Sequence, residues 1–125
     1  IMLKTFVILG GINALLAVML GAFGAHGLKN HLSPELLTIY QTGVDYHMWH
    51  ALGLVLIGML GAHLPDSALL VWAGALMLTG ILFFSGSLYV LSITGIRWMG
   101  AVTPLGGAAF IVAWMFVVIA SWRSS

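Results

Sequence analysis

The sequence predicts an all-α, polytopic membrane protein: a single domain of four transmembrane helices, with a short interfacial helix between the first and the second. Three observations carry this. Hydrophobic residues make up 62% of the 125 positions and charged residues only 6%, against about 25% charged in an ordinary soluble domain. Water cannot solvate the outside of such a chain, so lipid must. Apolar, nearly uncharged runs recur at the length of about 20 residues that spans a hydrocarbon core of about 30 Å. Between them stand the residue types that stop one helix and start the next.

The first run, TFVILGGINALLAVMLGAFGA, covers residues 5–25 and carries no charge. Lys4 ahead of it and the small residues near its end also fit a signal peptide with a cleavage site, the disfavoured alternative to a first span.

The only sizeable connection follows. Ser33-Pro34-Glu35 reads as cap, first helical residue and an acid favoured by the helix dipole. A short helix over about 34–43 is expected, with Leu36, Leu37, Tyr40 and Val44 on one arc and Thr38, Gln41, Thr42 and Asp45 on the other, as for a helix lying at the interface. Gly43 is the expected bend into the next span. The same pattern also fits a second span that simply extends beyond the membrane.

The second span runs over about 46–64 and stops at Pro65-Asp66-Ser67, where Asp or Ser caps the next helix. So short a turn makes the second and third spans antiparallel. The third, about 68–93, is 26 uncharged residues closed by Thr94-Gly95, long enough to tilt or protrude. The fourth, about 104–122, opens at Thr103-Pro104, read as a cap followed by proline at the first helical position. Both termini then share one side. Trp and Tyr favour the headgroup level: Tyr40, Tyr46, Trp49 and Trp98 fall on one side, Trp72 and Trp122 on the other, and only Trp114 lies deep. Lys29 and Arg97 on one side balance Lys4 and Arg123 on the other, a tie in the positive-inside count.

Lipid removes the hydrophobic drive between helices, so their association rests on small residues and interhelical hydrogen bonds. Asn13, Ala17, Gly21 and Ala25 recur at four-residue spacing on the first span, with Gly10 and Ala14 on an adjacent line. Gly58 on the second span, Gly86 on the third, and Gly106 and Gly107 on the fourth continue the pattern. More small-residue surface than four helices need points to association with copies of itself or with other membrane subunits, beside the lipid bilayer.

His47 and His50 lie 60° apart on a helical wheel, a spacing at which two imidazoles can share an ion. His26 and His31 fall at the same membrane level, so four histidines form a candidate metal cluster, zinc ordinarily needing three or four ligands. His63 is about 20 Å further along the helix and is excluded. The plainer reading has each histidine bonding a carbonyl, a headgroup or a polar neighbour. A proton path lacks ionisable residues through the core. Ser85, Ser87 and Tyr89 have no base accompanying them in the third span, so no catalytic residue is assigned and an enzyme is not expected. The absence of cysteine removes thiolate chemistry. No phosphate loop, dinucleotide fingerprint or haem attachment motif occurs, so no cofactor is expected. Four scattered cations make no nucleic-acid-binding face, and no soluble substrate is indicated.

Four ordered blocks, GAFGAHGLK (21–29), YHMWHALGL (46–54), SGSLYVLSITG (85–95) and MGAVTPLGGAAFIVAW (99–114), resemble the domain of unknown function 423 family, small bacterial inner-membrane proteins with a related eukaryotic transmembrane protein. The resemblance covers nearly the whole chain. It implies a four-helix protein of the bacterial inner membrane and supplies no reaction, substrate or site residue. The reading is therefore a non-enzymatic interaction, assembly or accessory subunit. Its rival is a small transporter or channel component handling a metal ion or proton at the histidine cluster.

Overall fold

A computed structural model describes residues 2–124, and among them all regular structure is helical. Helix α1, Met2–Phe23, continues into a π-helical turn, Gly24–Leu28. After a short loop α2 runs Pro34–Gly61. Its N-terminus is built as the sequence suggests: Ser33 is extended, its hydroxyl accepts the Leu36 N–H at 3.2 Å, Pro34 opens the helix and Glu35 sits in the first turn. The Ser33 hydroxyl satisfies an amide that the helix itself cannot.

One expectation is corrected here. Residues 34–43 are not a separate helix, because α2 passes through Gly43 without a break. Gly43 serves close packing instead: a Cβ there would lie 3.1 Å from the Tyr89 ring and 3.3 Å from Leu88 Cβ.

The Pro65-Asp66-Ser67 turn reverses the chain as expected, and the Ser67 hydroxyl caps α3, Ala68–Gly80, through the Leu70 N–H at 3.3 Å. A π-helical turn, Ile81–Ser85, joins α3 to α4, Gly86–Thr94, making one rod. Gly95 ends it in the left-handed region at φ +75°, its N–H bonded to the Leu91 carbonyl at 2.8 Å, the conformation that glycine adopts without penalty. A 3-10 turn, Arg97–Ala101, leads into α5, Thr103–Arg123. Thr103 is not the cap of α5; its hydroxyl lies 3.4 Å from the Met99 carbonyl and 2.6 Å from the Ser87 hydroxyl. A tie to the neighbouring rod has taken the side chain that capping would have used.

Helix α1 lies along α2, the α3–α4 rod lies along α5, and α2 meets that rod between them. The core gathers Leu54 and Ile57 of α2, Met77 of α3 and Phe110 and Ala113 of α5, with Phe6 closing it from α1. Glycines set the approach distances. A Cβ on Gly10 would sit 2.7 Å from the Ala51 carbonyl oxygen, and one on Gly106 would collide with the backbone of Phe83 and Phe84. The Phe6 ring fills the space over Gly74, and the Phe110 ring that over Gly80. Outside, large apolar side chains such as Leu82, Leu105, Ile111 and Val118 are exposed.

Among the described residues, three rods are long and apolar enough to cross a membrane: Lys4–Leu28, Ala68–Thr94 and Arg97–Arg123. The central helix α2 is less apolar because it carries His47, His50, Gln41 and Asp45.

Candidate functional site

The polar groups inside these helices meet in one row. On α1, the Asn13 side-chain N–H donates to the Leu9 carbonyl at 2.8 Å, which turns its amide oxygen outward toward α2. His47, on the buried face of α2, brings Nε2 to 3.0 Å from that oxygen. Its other nitrogen, Nδ1, lies 2.9 Å from the Tyr89 hydroxyl on α4. One imidazole thus joins three helices.

The proton positions follow from which atoms can only accept. The Asn13 amide oxygen accepts, so His47 Nε2 carries the hydrogen and, in the neutral ring, Nδ1 holds the lone pair. Tyr89 therefore donates. Each member has one role and each buried end is satisfied, and no fully enclosed side-chain nitrogen or oxygen lacks a partner among the described residues.

His50, one turn further on, is held in the opposite tautomer. Its Nδ1 is 2.8 Å from the Tyr46 carbonyl oxygen, which only accepts, so Nδ1 carries the hydrogen and Nε2 the lone pair. The ring lies flat on Phe110, centroids 3.5 Å apart with 10° between planes, and the Trp114 indole stands edge-on at 5.9 Å.

Further ties surround the row. The Tyr40 hydroxyl donates to the Leu20 carbonyl of α1 at 2.5 Å, Ser85 donates to the Gly43 carbonyl of α2 at 2.7 Å, and Ser87 pairs with Thr103 of α5. Ser85 lies in the π-helical turn, where the wider winding displaces side chains from the α-helical register. Every neighbouring pair of rods is thereby pinned at the end nearest the first and third loops.

The four candidate metal ligands are not brought together. His26 and His31 are exposed on the first loop, while His47 and His50 are buried. Among the described residues no group of three His, Asp or Glu side chains is placed to hold a metal ion. His26 lies exposed in the π-helical turn, and both His47 nitrogens are already engaged.

The small-residue row is used in part. Ala17 is buried, Asn13 reaches His47, and Gly21 is half-buried with Val44 3.3 Å from where its Cβ would be. Ala25 is exposed, because four-residue steps drift by about 40° each around a helix and carry it roughly 120° from Asn13. Gly58 and Gly106 are buried. Gly86 and Gly107 pack loosely, their nearest neighbours 3.9 and 3.8 Å from a Cβ position. Sequence reasoning missed the close contacts of Gly74, Gly80 and Gly53, and it missed Tyr89 as the partner of His47. A tyrosine hydroxyl in an uncharged rod was the available signal for the last.

Such an arrangement defines a multi-pass helical membrane protein whose interior polar side chains fasten helix to helix. The chain belongs to the family described as Protein of unknown function (DUF423), whose model matches residues 20–107. It is 54% identical over 119 residues to the UPF0382 membrane protein YwdK of Bacillus subtilis, covering 95% of this chain and 97% of that one. It is 48% identical over 121 residues to UPF0382 membrane proteins of Staphylococcus saprophyticus, with 97% and 99% covered, and of Staphylococcus epidermidis, with 97% and 98% covered. No solved structure is significantly similar. With three rods fit to cross a bilayer and bacterial relatives named as membrane proteins, this is a multi-pass protein of the bacterial plasma membrane.

Proposed function

We propose that the protein is a non-enzymatic accessory or assembly subunit, built as four membrane crossings with α2 as the fourth. The observation that carries this reading is the Asn13–His47–Tyr89 row: the most polar interior group is spent entirely on joining helices, with no nitrogen of His47 left for an ion, a proton or a substrate. What the molecule then offers is surface. At 28 residues and about 1.5 Å each, α2 is longer than a hydrocarbon core requires. Its first turns, bearing Glu35, Thr38 and Gln41, extend into the headgroup layer in place of a separate interfacial helix.

Helix α1 has one face on α2, and its other face carries Gly11, with nothing within 4 Å of a Cβ position, among exposed Ile8, Leu15 and Val18. That face is the surface for a second copy or another membrane subunit, since small residues let helices approach closely. The test is the mass of the intact assembly purified in mild detergent. The reading expects a complex that Gly11→Leu disperses without loss of helicity; a wild-type monomer with no companion subunit would contradict it.

A further inference from the structure

His50 holds the one interior imidazole nitrogen that the fold does not use. Its side chain is 5% exposed, Nδ1 is committed to the Tyr46 carbonyl, and Nε2 makes no hydrogen bond among the described residues. Because every fully enclosed polar side-chain atom among the described residues is partnered, this nitrogen is not fully enclosed by the bundle. A neutral lone pair there is an acceptor without a donor, and hydrocarbon supplies none.

The surroundings restrict what can supply one. Phe110 covers a face of the ring, Trp114 meets it edge-on, and Tyr46 stacks at 5.9 Å with 10° between planes. No carboxylate belongs to this cluster, so it lacks the charge that holds a hard cation. Phe110 is seven residues past Thr103, about 10 Å below the end of α5, deeper than a phospholipid headgroup lies. The donor must be carried into the hydrocarbon layer by an apolar body. Trp114 also borders a shallow, almost wholly apolar stretch of the exposed α5 face, formed otherwise by Ile111, Met115, Val118 and Ile119.

We infer that His50 is the hydrogen-bond acceptor of a site for a lipid-soluble phenol, a hydroquinone-type head with an apolar tail. The hydroxyl donates to Nε2, the flat head joins the aromatic cluster, and the tail lies along the apolar α5 face beside Trp114. This site is separate from the assembly surface on α1 and stands or falls independently of it.

The experiment titrates the full chain, labelled with ¹⁵N-histidine in mild detergent, with a short-chain alkyl hydroquinone and with its dimethyl ether, which lacks the donor. The expected result is a saturable shift of His50 Nε2 with the hydroquinone, binding about tenfold tighter than the ether, while the His47 resonances stay in place. His50→Phe, which keeps the stacking on Phe110, should bind both probes alike. Equal binding of the two probes by the wild type, or no shift at His50, would overturn the site, and these wild-type arms decide it even if the variant does not fold.

Discussion

Tyr89 and His47, 42 positions apart in the chain, meet with the tyrosine hydroxyl 2.9 Å from imidazole Nδ1. The contact carries α4 onto α2, and the opposite edge of the same ring carries α2 onto α1 through Asn13 at 3.0 Å. In a bilayer the helices gain little from hiding apolar surface from one another, so contacts of this kind help to choose which faces meet.

The two histidines should display opposite tautomers. In ¹⁵N spectra of the protein in detergent, His47 should be protonated at Nε2 and His50 at Nδ1, both rings neutral. The reverse assignment at His47 would require Asn13 to turn its amide around and surrender the Leu9 carbonyl.

Removing the acceptor on α1 should loosen the bundle modestly. Asn13→Leu takes away the partner of His47 Nε2 and should cost about 1 kcal/mol, the scale of interhelical hydrogen bonds in membranes. Unfolding in mixed micelles measures it. The π-helical tie gives a parallel case, since Ser85→Ala frees the Gly43 carbonyl and should cost a similar amount.

The glycines should separate sharply by position. Gly106→Ala drives a methyl group into the Phe83–Phe84 backbone and Gly10→Ala into the Ala51 carbonyl, so both should lower the melting temperature strongly. Gly107→Ala and Gly11→Ala have room and should leave it nearly unchanged. Comparable losses in all four would mean that these crossings are not where the rods touch most closely.

Zinc should bind no tighter than to scattered surface histidines. With His26 and His31 exposed and apart from the buried pair, His26→Ala with His31→Ala should not alter the metal content of protein purified without a polyhistidine tag.

Much of the fold was legible because charge and helix-end residues are so sparse in this chain that each is informative. The Ser33-Pro34 start, the Pro65–Ser67 reversal and the Gly95 stop are local chemistry and stand where the sequence put them. What failed was decided between elements. Gly43 reads locally as a bend, yet Tyr89 and Leu88 claim its bare face and the helix continues through it unbroken. Thr103 reads as a cap, yet Ser87 takes its hydroxyl. The π-helical turns have no marker of their own in the sequence, and Ala25 leaves the packing row because four-residue steps drift around the helix. For the site, spacing placed His47 and His50 on a single face of α2 but could not tell that one ring would be closed by two partners while the other kept a lone pair.

The central claim, that His47 and Tyr89 lock α2 to α4, is tested most directly by a double-mutant cycle with His47→Ala and Tyr89→Phe, read as unfolding free energy in mixed micelles. The account predicts that Tyr89→Phe costs about 1 kcal/mol in the wild-type background and close to nothing once His47 is alanine, a coupling of about 0.5–1 kcal/mol. Costs that simply add, within about 0.3 kcal/mol, would show that the two side chains do not hold the helices together.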